Sequence, residues 1–217
     1  MSIENNVVKN SLRAKMAAAG GMLLIVSSPA FAHHPMGGAT PETLGQGLLS
    51  GLGHPIIGLD HFAFLVVAIL LSCALKGASR YIAPLAFVGA TVGGTALHLG
   101  AANIPMSEML VAVTVLVGAV LALTKHYPGA AVLSGVFAVS GILHGYAYGE
   151  SIIGAEMTPL VSYLVGFAAI QYMIIAGGAL GLEKLARHSE KMREVTARVS
   201  GIAAFLTGGL FLALSLT

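Results

Sequence analysis

Two short stretches of this 217-residue chain carry side chains able to hold a cation in apolar surroundings. The first is His54-Pro55-Ile56-Ile57-Gly58-Leu59-Asp60-His61, and the second is His144-Gly145-Tyr146-Ala147-Tyr148-Gly149-Glu150. Asp60 and His61 are adjacent, so carboxylate and imidazole can coordinate together, or one can orient the other as it ligates. His144 and Tyr148 lie one helical turn apart on one face, which places Tyr148 to support a ligand, and Glu150 reaches the water boundary. Imidazole with carboxylate and without thiolate favours borderline divalent ions, Ni²⁺, Co²⁺ or Zn²⁺, over soft Cu(I) or all-oxygen Mg²⁺. The single cysteine, Cys73, excludes a disulfide framework or a thiolate cluster within one chain and reads as a small buried residue.

Spacing limits what the first cluster can do. On a straight helix His54 and His61 share a face but stand about 10.5 Å apart along the axis. One ion, with nitrogen ligands at about 2 Å, cannot bridge that gap, so joint ligation requires the chain to fold back at Pro55 and Gly58. Pro55 suits a first helical position, which would put His54 in the opening turn of the helix that follows.

The elements that must position these residues are membrane spans. Of all residues 56% are hydrophobic and only 9% are charged. The mean hydropathy is +0.87. A soluble domain carries about 25% charged residues, so this chain has too few to clothe a water-facing surface. Residues 1–32 read as a cleavable signal peptide. Lys9, Arg13 and Lys15 precede the apolar run Met16 to Val26, and Pro29-Ala30-Phe31-Ala32 supplies a small-x-small cleavage site. The mature chain, 33–217, would then begin at His33, with His34 beside it as a second capture ligand. Six apolar segments follow, at 56–75, 81–100, 106–124, 129–148, 158–182 and 199–216. The expected fold class is therefore all-α, a polytopic integral membrane protein with six transmembrane helices after a cleaved signal peptide. Residues 37–53 precede the first span as a loop or short amphipathic helix at the outer surface. Gly89, Gly93 and Gly94 in the second segment, and Gly177, Gly178 and Gly181 in the fifth, permit close helix approach.

Charge orients the spans, because cytoplasmic loops hold an excess of Lys and Arg. With His33 outside, Lys76, Arg80, Lys125, Lys184, Arg187, Lys191, Arg193 and Arg198 all fall inside, and the outer loops carry neither Lys nor Arg. Both mature termini are then periplasmic and the protein sits in a bacterial inner membrane. The same topology puts the start of the first span and the ends of the second and fourth on the outer side, so His98 joins the two clusters near one depth. His126 and His188 fall among basic residues on the opposite side and read as solvated. Glu108 reads as marking the outer start of the third span, near the favourable end of the helix dipole.

The two clusters resemble the span-one and span-four signatures of the HupE/UreJ nickel permeases. The signal followed by histidine, the size and the six spans also match, so the resemblance covers essentially the whole chain. It implies that His54, Asp60, His61, His144 and Glu150 serve transport of Ni²⁺ or Co²⁺, with no permanently bound cofactor. Leu143 stands where the family commonly has Phe, a difference that touches packing rather than ligation. No phosphate-binding loop or large cytoplasmic loop is present, so transport would run without ATP hydrolysis by this chain. The expected partners are a divalent ion and the bilayer, with no nucleic acid, and the oligomeric state is not readable. Three rival readings follow from the same residues: a membrane b-type cytochrome using His61, His98 or His144 as axial ligands, an intramembrane serine protease built on Ser140-Gly141, and a metal sensor that binds without transporting. The protease reading lacks the usual preceding glycine, since Ala138 occupies that position.

Overall fold

A computed structural model describes residues 39–217, and the expected signal peptide, His33 and His34 lie outside the described residues. Among the described residues there are seven α-helices and one 3-10 turn, and no strand. The helices are α1 (Leu44–Ile57), α2 (Leu59–Cys73), α3 (Ser79–Leu99), α4 (Ser107–Leu123), α5 (Ala130–Gly149), α6 (Met157–His188) and α7 (Glu190–Leu214), with the turn Glu150–Ile152 closing α5. Each of the six apolar segments becomes one helix, α2 to α7. Large apolar side chains such as Leu85, Val139, Val165 and Leu206 stand outward on these helices. A helical bundle apolar on its outside satisfies its backbone internally and leaves its surface to lipid, so the chain is a multi-pass membrane protein. Helices α3, α6, α7 and α5 with its turn are each long and apolar enough to cross a membrane. The α1–α2 pair passes the same test together across a 74° bend. Helix α4 is apolar but has 17 residues, a length of about 25 Å at 1.5 Å per residue.

Of the loop or short amphipathic helix expected ahead of the first span, the structure shows a helix, packed along α6. Thr43 caps α1: its hydroxyl accepts from the Gln46 amide at 3.2 Å, and the Gln46 side chain accepts in return from the Thr43 amide at 3.3 Å. This reciprocal pair fixes the start of α1. The helix then runs along the amino-terminal half of α6, with Gly47 against Pro159 and Ser162, and Gly51 against Tyr163 and Phe167. Pro55 does not open a helix. It lies in the last turn of α1, where it offers no amide to the Gly51 carbonyl and the helix stops two residues later, and His54 closes α1 instead of beginning α2.

Close approach is concentrated between α3 and α5, where an added Cβ on Gly94, Gly141 or Gly145 would sit within 2.4 Å of a facing carbonyl oxygen. Among the glycines expected to permit close approach, only Gly94 and Gly178 do so; Gly89, Gly93, Gly177 and Gly181 face open space. Helical period decides this, since one helix can present only one stripe to its neighbour. At one end of the bundle lie all eight Lys and Arg of the described residues. The Arg80–Glu183 pair at 2.9 Å and the Lys125–Glu194 pair at 3.3 Å tie the α2–α3 and α4–α5 connections to α6 and α7 there. Glu42, Asp60, Glu108, Glu150 and Glu156 occupy the other end.

Gly145→Ala, which would place a methyl 2.0 Å from the Thr91 carbonyl oxygen, is expected to lower Tm by roughly 5 °C, the scale of an overpacked core in a chain of this size. Gly89→Ala is expected to leave it unchanged or slightly raised. Melting of both variants in one detergent checks the pair, and equal behaviour would refute the assigned α3–α5 contact.

Candidate metal site

The site begins at the bend. Gly58 ends α1 and its amide donates to the His54 carbonyl at 3.0 Å; α2 then starts with Asp60 in its first turn. The Asp60 carboxylate accepts from the His61 amide at 2.8 Å, so one of its oxygens satisfies a helix N-terminus that the dipole makes favourable for an anion. The same bend brings the His54 and His61 rings to a centroid distance of 5.7 Å. Gly58 is needed for space as well as direction, because a Cβ there would lie 2.8 Å from the His61 ring.

Hydrogen bonds fix both rings. Tyr148, fully buried on α5, packs between them at centroid distances of 4.9 Å from His54 and 4.3 Å from His61. Ser151 and Tyr163 hydroxyls each donate to the Tyr148 carbonyl oxygen at 3.0 Å, and each stands 3.0 Å from His54 Nδ1. The two hydroxyls also stand 3.0 Å from each other, so carbonyl, hydroxyls and His54 Nδ1 form one buried hydrogen-bonded cluster that holds the ring. A second chain holds His61. The Thr114 hydroxyl donates to the Val111 carbonyl at 2.7 Å, so His144 Nε2 donates to Thr114 at 3.0 Å. His144 Nδ1 then accepts from His61 Nδ1 at 2.8 Å, which leaves the His61 lone pair on Nε2. Neutral imidazole with Nδ1–H bonded outward and Nε2 basic is the form in which histidine ligates a metal. In this arrangement His144 holds His61 in position.

His54, Asp60 and His61, all at most 3% exposed, line a cavity of about 20 Å³ whose other walls include Glu108, Glu150 and Ser151. That volume admits one water or one small ion. Glu108 and Glu150 are exposed, so acids stand at its mouth. On the bundle side Phe64 packs on His144 at 4.6 Å and on Phe87 at 4.8 Å, closing the site with aromatic rings.

Sequence spacing placed His54, Asp60, His61, His144, Tyr148 and Glu150 together, and the bundle brings all six into one region. His98 stands apart: its ring packs on Tyr146 at 4.4 Å, its Cβ faces Gly149 and it does not line the cavity. It is at the right depth but on the α3-facing side of α5. Glu108, which reads in the sequence as a simple helix start, lines the cavity, and Thr114, Ser151 and Tyr163 supply the ring contacts. Only Glu108 carried a signal, as an acid in a half of the molecule without basic residues. Among the described residues no three His, Cys, Asp or Glu side chains form a ready-made ligand set. His61 and His144 instead bond to each other, and a shared tetrahedral ion would need their nitrogens roughly 3.3 Å apart, from nitrogen–metal distances of about 2.0–2.1 Å. A cavity of about 20 Å³ has no room for a porphyrin. Both nitrogens of His144 are engaged, so Ser140 one turn away gains no base from it.

The family model described as HupE / UreJ protein matches residues 21–211. The chain belongs to the HupE/UreJ family. Protein HupE of Rhizobium leguminosarum bv. viciae is 32% identical over 193 residues, which cover 88% of this chain and 94% of that protein. No solved structure gives a significant match. The HupE/UreJ match includes both histidine clusters and Glu108, so the shared region contains every wall of the cavity.

Thr114→Val removes the acceptor that sets the His144 tautomer while keeping the shape of the side chain. The variant should still fold, with Tm a few degrees lower because the buried His144 Nε2–H loses its acceptor, and should lose about tenfold in metal affinity, the scale of removing an outer hydrogen bond that orients a ligand. Titration of purified protein with Ni²⁺ checks this, and unchanged affinity would separate Thr114 from the site.

Proposed function

We propose that this protein carries Ni²⁺ or Co²⁺ across the inner membrane into the cytoplasm as a permease, without ATP hydrolysis by its own chain. The observation that carries the reading is the pairing of His54 and His61, each buried and held at Nδ1 by hydrogen bonds from other elements, with Asp60 beside a cavity the size of one small ion. A buried carboxylate and two polarised imidazoles are costly in lipid unless a cation compensates them. Family membership supports the same reading, since HupE/UreJ proteins are associated with nickel and cobalt uptake. Zn²⁺ fits the donor atoms too, and ligand chemistry does not choose among the three.

Six crossings are proposed, with α1 and α2 forming one broken span and α3 to α7 the other five, and with both mature termini periplasmic. The broken span matches a recurring transporter device, in which a discontinuous helix offers its termini to an ion at the point of interruption. Ions are drawn by His33, His34 and the acidic outer end, where the described residues include no Lys or Arg. Glu108 and Glu150 receive the hydrated cation, and His54, Asp60 and His61 replace part of its water, with His144 following His61. Inward release requires Phe64 and Phe87 to give way. The driving force can be the membrane potential: a divalent ion crossing 100 mV gains about 4.6 kcal/mol, from about 2.3 per charge. That suffices for roughly a thousandfold accumulation.

Two measurements test this reading. Uptake of radiolabelled Ni²⁺ and Co²⁺ into cells expressing the protein should fall to background in His61→Ala, and in Asp60→Asn, whose amide oxygen still accepts the His61 amide and so preserves the helix start. Uptake equal to wild type in both would end the proposal, and Ni²⁺ binding without uptake in the wild type would make the protein a sensor. For topology, alkaline phosphatase fused after Thr217 should be active and fused after Lys125 inactive; the reverse pattern would invert the assigned orientation.

A further inference from the structure

At the end of the bundle away from the histidines, α2, α4, α6 and α7 enclose a cavity of about 750 Å³ that the metal path does not explain. Its floor is apolar, formed by Leu70, Leu123, Leu182 and Ile202. Its rim carries Lys125, Lys191, Arg193 and Arg198 against one carboxylate, Glu194. Lys125 pairs with Glu194, and Arg193 with Glu190 outside the lining. No ion pair engages Lys191 or Arg198 among the described residues. A passage for a divalent cation would not be ringed with uncompensated positive charge.

The cavity opens sideways. Val195 and Ile202 line it while remaining 55% and 43% exposed on the apolar flank of α7, and Tyr127 at its edge is 43% exposed. An occupant therefore touches basic side chains at one end and apolar side chains continuous with the lipid-facing surface at the other. The volume falls in the range of organic-ligand sites, about 300–1,000 Å³, and far exceeds what an inorganic anion fills. A soluble anion would also leave the apolar floor unused.

We infer that this cavity binds an anionic phospholipid of the adjacent leaflet, with its phosphate at Lys191 and Arg198 and the upper part of its acyl chains on Leu70, Leu123 and Ile202. Basic pockets between membrane helices recognise anionic headgroups by this combination of charge and apolar contact. Occupancy joins the start of α7 to the ends of α2 and α4, adding to the Lys125–Glu194 pair and to the packing of Gly201 on Leu123 and Leu70. The inference holds whichever ion is carried, because none of these residues belongs to the histidine site.

The full chain, purified in detergent, is melted with phosphatidylglycerol, with phosphatidylcholine and with inorganic phosphate. Phosphatidylglycerol should raise Tm by about 5 °C, the scale of a ligand present well above its Kd, and the other two should not. The Lys191→Gln/Arg198→Gln protein should match wild type in phosphatidylcholine and lose most of the rise. Native mass spectrometry of the wild type gives a readout independent of that variant: retained phosphatidylglycerol should exceed phosphatidylcholine by about thirtyfold, in line with two basic contacts. Equal stabilisation or retention of the two lipids overturns the inference. Stabilisation by phosphate alone would replace the lipid with a soluble anion, and an unchanged rise in the double variant would remove the assigned basic residues.

Discussion

The 74° break at Gly58 is the constraint on which the site rests. Seven residues of straight helix separate two side chains by about 10.5 Å along the axis, yet the His54 and His61 rings stand 5.7 Å apart. The break also creates two helix ends inside the bundle. Asp60 occupies the amino-terminal one, where the dipole favours an anion, and His54 lies in the last turn of the other, where a cation is favoured. One bend thus gathers the proposed ligand atoms and supplies part of the field that makes them tolerable in lipid.

The remainder of the bundle works to hold that bend. Gly47 and Gly51 let α1 lie against the amino-terminal half of α6. Tyr163 on α6 and Ser151 after α5 then reach His54 from two elements. The closely packed α3–α5 pair positions His144 and Tyr148 on the far side of the rings, and Thr114 on α4 completes the second chain of hydrogen bonds. Each histidine is held by partners from helices distant in sequence, so its tautomer is a property of the assembled bundle.

The two ends of the molecule divide the electrostatic labour. Acidic side chains without a single Lys or Arg among the described residues surround the histidine end, and eight basic residues gather at the other. The first favours approach of a cation; the second suits an anionic surface, and the inferred lipid site at Lys191 and Arg198 draws on it.

Much of this was readable from one chain. Hydropathy located α2 to α7, because burial in lipid demands long apolar runs whatever their neighbours, and the Lys and Arg distribution grouped the loops by end. The costly residues His54, Asp60, His61 and His144 marked the candidate site for the same reason: in an apolar span a polar group stands out. The cap formed by Thr43 and Gln46 was also written locally, although the sequence left loop and helix open at that point. Local sequence could not decide which way Pro55 falls, because proline suits the first turn of one helix and is tolerated in the last turn of another; contact with α6 decided it. His98 and Glu108 exchanged importance for a related reason. Depth follows from counting residues along a span, whereas the face a residue turns toward the site depends on how helices rotate against one another. Ring tautomers, the closure by Phe64 and Phe87 and the basic cavity all arise between helices remote in sequence, and only packing in three dimensions brings their atoms within range.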